Sequence, residues 1–164
     1  MDEQTINVND KTGELLTYLA EKHPNPTVTV LMKLCYLIDL VSMKKYGGKV
    51  TDFNYIRYKF GPFDKKIYSY LERLATGGLI SQEQGFAAES ANDFIVYSSG
   101  PTPRSNYQLF AGNDKEAADT VLQEVAGYGA KALTDIAYKT KPMIALGATR
   151  GGIEGLYQQL NLNT

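Results

Sequence analysis

A chain of 164 residues, 43% hydrophobic and 21% charged, is long enough to bury roughly 70% of its unfolded surface as one compact domain with no linker. Its formal net charge of -1 excludes a global attraction to nucleic acid or anionic membrane, so such a partner would need a local patch. Cys35 is the only cysteine and His23 the only histidine, which excludes an intrachain disulfide and a structural zinc of the usual Cys/His type, and no cofactor is expected.

The opening MDEQTINVND is acidic and polar where a secretory signal is basic and then apolar. No apolar run approaches the ~20 residues of a membrane span, so a cytoplasmic protein without membrane contact is expected. Asp10 can cap a first helix reaching about Lys22, with Leu15, Leu16, Leu19 and Ala20 as its apolar stripe, and Pro24-Asn25-Pro26 ends it. His23, just before that stop, suits a capping role in which it meets terminal carbonyls.

Thr27 or Thr29 caps a second helix running to Tyr46 and stopped by Gly47-Gly48. It is apolar nearly all round from Leu34 to Val41, the pattern of a central buried helix. Cys35 within it reads as a core residue, because nothing nearby in sequence would make a thiolate. Asp39 also sits in that apolar run, where an ionised carboxylate must find a donor. Two readings follow: a buried pair or hydrogen bond to a cation such as Arg57, or an acid facing a ligand.

The run Tyr55-Ile56-Arg57-Tyr58-Lys59-Phe60 alternates as a short strand, which Gly61-Pro62 would stop. Pro62 suits the first turn of a third helix that ends at Gly77-Gly78. Segments 79–86, 93–97 and 106–110 then read as short strands. A helix followed by a hairpin resembles a winged helix, with about Asp64 to Ala75 as the recognition helix and the turn at 98–103 as a wing tip.

Asn113 or Asp114 caps a further helix through Ala126, another spans about Ala130 to Lys139, and Pro142 redirects the chain. Ile153 to Leu160 is a candidate for a short terminal helix. Gly147 to Gly152 lacks the Gly-Lys-Ser/Thr ending of a phosphate loop and reads as a connecting turn. The expected fold is therefore α+β and mainly helical, with a winged-helix-like helix-turn-helix and a small antiparallel β-hairpin or three-stranded wing.

Charge is divided along the chain. Lysines and arginines dominate from Lys44 to Arg73, interleaved with Tyr55, Tyr58, Phe60, Tyr68 and Tyr70, while Glu83 to Glu124 is acidic. Such a basic aromatic patch suits phosphates and bases, or an acidic protein partner.

Three blocks carry a resemblance: Lys33 to Asp39, Tyr55 to Pro62, and Leu71-Glu72-Arg73-Leu74 running on to Gly78-Leu79-Ile80, with weaker similarity at Leu133 to Tyr138. Together they resemble the Panacea domain of SocA-like antitoxins, a family with phage-associated relatives. Where members often have a histidine and then Pro-Trp, this chain has Tyr138 and Pro142-Met143. The resemblance implies a module that neutralises a cognate protein toxin by binding it, or by delivering it to a protease. Carried to matching positions, the implied partner surface is Tyr55, Arg57, Tyr58, Phe60, Gly61 and Pro62, flanked by Lys65 and Tyr68.

The alternative is a winged-helix DNA-binding regulator using Lys65, Lys66, Ser69 and Arg73. An enzyme is not expected: Asp39 and Asp135 form no paired acid, metal spacing or nucleophile–base set.

Overall fold

The computed structural model describes residues 8–86 and 93–164. The fold is α+β and mainly helical, with six helices and two two-stranded antiparallel sheets among the described residues. Helix α1 spans Lys11–Lys22 and starts where the Asp10 carboxylate accepts a hydrogen bond from the Gly13 amide. Helix α2, Val28–Tyr46, is capped by Thr27 and closed by Gly47 in the left-handed region (φ 80°). Its middle is buried on all sides because α1, α3 (Lys66–Thr76), α4 (Asn113–Glu124) and α5 (Ala130–Tyr138) pack against it. The expectation of a central buried helix holds, and Cys35 lies in that core with no exposure. Burial, and then the charge of Asp39, push its thiol well above the ordinary range, which suppresses a thiolate.

The run from Tyr55 folds differently from its expected single strand. Strand β1 is only Ile56–Tyr58, Lys59 and Phe60 form the turn, and Gly61–Phe63 returns as β2, pairing Arg57 with Pro62. Gly61-Pro62 therefore belongs to a strand rather than ending one. Gly61 adopts φ 111°, which a side chain would resist, and Pro62 is tolerated because β2 is an edge strand. Helix α3 begins after Asp64, whose carboxylate accepts from the amides of Lys66 and Asn54. Pro62 does not start it.

Strands β3 (Ile80–Phe86) and β4 (Asp93–Ser99) form the second hairpin. The helix-then-hairpin order stands, but no third strand joins it among the described residues. Segment 106–110 is irregular, and the amides of Leu109 and Phe110 bond the buried Glu14 carboxylate instead of a ladder. The turn expected at 98–103 is not a wing tip: Ser98 and Ser99 belong to β4, and Gly100 and Thr102 donate to the carbonyls of Leu79 and Gly78 at the hairpin base. The loop joining the strands lies outside the described residues.

Gly112, not Asn113 or Asp114, occupies the cap position of α4. Pro142 sits in the first turn of α6, Lys141–Ala145. The expected terminal helix at 153–160 does not form. Instead the amides of Tyr157 and Leu160 donate to the carbonyls of Arg57 and Tyr55, the Arg57 amide donates to Gln158, and Gln159 bridges Ile56. Gly151 and Gly155 disfavour helix in this segment, and the open edge of β1 offers its backbone a better set of partners. His23 also finds a different partner: its backbone caps α1, while its ring bonds the Tyr128 carbonyl on another segment.

Candidate functional site

The polar groups that looked most reactive lie on the inner side of the β1–β2 hairpin. Asp39 is fully buried, and its carboxylate accepts from the Val50 and Thr51 amides (2.7 and 3.0 Å), the Thr51 hydroxyl (2.6 Å) and the Tyr55 hydroxyl (2.7 Å). Burial pushes its carboxyl above the usual range, against the pull of those hydrogen bonds. This corrects the expected pairing: Arg57 is not its partner, and the neighbouring Cys35 is held as the thiol. Asp39 is a clamp that fixes the chain leaving α2.

Arg57 is the largest fully buried side chain, at 0% exposure. Its guanidinium donates to the carbonyls of Tyr58, Thr149 and Gly152 and lies 5.3 Å from the Tyr138 ring centroid, leaving Nε without a partner. The 147–152 turn thus offers carbonyls to a cation, the reverse of a phosphate loop. Tyr138 donates to the Lys59 carbonyl. Lys33 is 3% exposed beneath Gly61, and burial, then the charge of Arg150, lowers its amine to about 8.

Of the eight residues expected on a partner surface, Tyr55, Arg57, Gly61 and Pro62 are therefore buried and present no side chain to a partner. For Tyr55, Arg57 and its partner Pro62 the reason is strand alternation, with 55 and 57 inward and 56 and 58 outward, while Gly61 is buried against Lys33 and Tyr138. Tyr58 is half-buried, while Phe60, Lys65 and Tyr68 are exposed. Among the residues expected to meet DNA, Ser69 is buried and Lys66 pairs with Asp52 at 3.5 Å. Lys65 is exposed, and Arg73 is half-buried.

The outer side of the hairpin carries a row of four rings. Tyr157 lies 5.9 Å from Tyr58, Tyr58 stacks on Phe63 at 5.1 Å, and Phe63 meets Tyr68 at 5.9 Å. Ile56, Tyr58, Phe63 and Tyr68, with Asn54, Asp64 and Lys65, line a cavity of about 520 Å³. Phe60, 67% exposed, stands at the hairpin turn. Phe63 gives no strand signal in the sequence because Pro62 beside it suits the first turn of a helix. Tyr157 carried no signal, since only the fold-back of the tail brings it here, at φ 68°.

The basic and acidic blocks of the sequence also meet. Lys45 pairs with Glu116 at 3.7 Å, so α4 neutralises part of the basic stretch, and it also pairs through Asp114 with Lys11 of α1 at 3.2 Å. Among the described residues no group of three or more His, Cys, Asp or Glu is placed to hold a metal ion, and no helix is long and apolar enough to cross a membrane.

No curated protein and no solved structure gives a match to the chain. The family model described as antitoxin SocA-like, Panacea domain, does match, over residues 31–142. That span takes in α2, the β1–β2 hairpin, α3 and α5, with Lys33, Asp39 and Arg57 of the inner side and three of the four stacked rings. The chain belongs to the SocA-like antitoxin family, as a Panacea domain.

Proposed function

We propose that this chain is an antitoxin-like protein-binding module that neutralises a cognate toxin by covering it with the outer face of the β1–β2 hairpin, without chemistry of its own. The observation that carries the reading is the aromatic row beside Lys65, in which Tyr68 and Tyr157 are exposed and Tyr58 and Phe63 half-buried. Clustered rings at the surface, next to an open cavity, are how protein interfaces supply anchors. Tyrosine in particular gives a large contact area at low conformational cost.

The test uses residues whose loss spares the fold. Tyr58→Ala with Tyr68→Ala should abolish rescue in co-expression with the toxin while leaving circular dichroism unchanged; full rescue would reject this surface. Toxin abundance in the same cells separates covering, which leaves the toxin level intact, from delivery to a protease, which lowers it. Arg57 is unsuitable for this purpose, because truncating a fully buried guanidinium disturbs the fold itself. DNA binding is the weaker reading, since burial of Ser69 and pairing of Lys66 leave α3 few side chains for a groove.

A further inference from the structure

A second surface is independent of the aromatic row. Two cavities, of about 620 and 480 Å³, share Met43, Leu162 and Asn163 and so form one trough beside the C-terminal half of α2, the α5–α6 junction and the end of the chain. Four lysines line it: Lys44, Lys49, Lys139 and Lys141. No aspartate or glutamate does. Lys49 is engaged with the Phe53 carbonyl, but Lys44, Lys139 and Lys141 are exposed and have no ion pair among the described residues. Elsewhere lysines near acidic side chains are paired, as Lys45 is with Glu116.

We propose that this trough binds an acidic segment of a protein partner that also carries apolar side chains. The lysines supply charge complementarity to carboxylates, which acts over about 8 Å at physiological salt. Leu40, Met43 and Leu162 give the walls apolar surface for the segment's own apolar residues. Nucleic acid fits less well. Tyr55, the one ring lining the trough, is 1% exposed and presents no face on which a base could stack.

Fluorescence anisotropy with the full chain tests this, using labelled peptides of Glu-Glu-Leu and Glu-Glu-Ser repeats, equal in length and charge, and an oligo-dT. The Glu-Glu-Leu peptide should bind best, and Lys44→Glu with Lys139→Glu and Lys141→Glu should weaken it by about tenfold or more. The corresponding triple Gln variant, which removes charge without reversing it, should lose less and guards against misfolding. Tyr58→Ala with Tyr68→Ala should bind the peptide like the unaltered chain, so failure of the aromatic surface and failure of the trough are distinguishable. Unchanged binding by both lysine variants, equal binding of the two peptides, or tighter binding of oligo-dT would each overturn the proposal.

Discussion

The two sides of the β1–β2 hairpin use neighbouring residues in opposite ways. On the inner side Asp39, Tyr55 and Arg57 are buried and tied to several backbone groups, so their chemistry is spent on holding α2, the hairpin and the tail together. On the outer side Tyr58, Phe63 and Tyr68 form a row of ring contacts beside a cavity, with Phe63 also packed against the core. One alternating strand therefore serves stability on one face and contact on the other. The lesson is that residue type alone, an arginine or tyrosine in a signature block, does not say which duty it has; its parity along the strand does.

The largest expected effect lies on the inner side. Asp39→Ala strands two backbone amides and two hydroxyls in the core, each unsatisfied group costing about 1–3 kcal/mol, so a loss of roughly 4 kcal/mol or more is expected. The midpoint of urea unfolding, at unchanged slope, measures it. A loss within about 1 kcal/mol would mean the inner side is not what holds the fold, and the contrast would collapse.

Lys33 sharpens the same side through pH. The unfolded chain keeps this proton to its ordinary value of 10.5, whereas the folded chain releases it from about 8. Between those values the unfolded state binds more protons, so stability rises with pH, by roughly 2–3 kcal/mol across the window. Against this, burial lifts the Cys35 thiol well above its ordinary 9.0, raises Tyr36 to about 12 and lifts Tyr55 and Tyr70 as well, so above about pH 9 the folded state retains protons the unfolded state loses and the rise is offset. The usable window is pH 8 to 9. There Lys33→Met should flatten the rise and, at pH 7, raise stability by removing a buried charge. An unaltered slope would show that Lys33 carries no penalty.

Much of this fold was legible from local chemistry. Asp10, Thr27 and Gly47 mark helix ends through their own hydrogen bonds or backbone freedom, and the apolar girth of α2 announced its central position. Failures came where distant partners decide. Nothing near Glu14 says that its carboxylate will claim the amides of Leu109 and Phe110, and nothing near Tyr157 says that the tail will close the edge of β1. Which side chains reach the surface was legible only in part for the same reason: Phe60, Lys65 and Tyr68 are exposed and Tyr58 half-buried, whereas Arg57 is enclosed by carbonyls 92 and 95 residues away.

The smallest expected effect on folding tests the outer side. Phe60 occupies the hairpin turn at 67% exposure, and no aromatic partner is recorded for its ring among the described residues. Phe60→Ser should therefore change the unfolding free energy by no more than about 0.5 kcal/mol. A serine also suits a turn, and the pairing of Tyr58 with Gly61 does not depend on the side chain between them. Yet a ring with so much surface in water gains most from being covered by a partner, so neutralisation of a toxin should weaken measurably, though less than when Tyr58 and Tyr68 are both lost. Calorimetric melting and the co-expression assay give the two halves of that comparison. A melting temperature that drops with the variant would mean the turn is part of the scaffold. Unchanged melting with unchanged neutralisation would confine the contact surface to the row from Tyr157 to Tyr68, leaving the hairpin tip outside it.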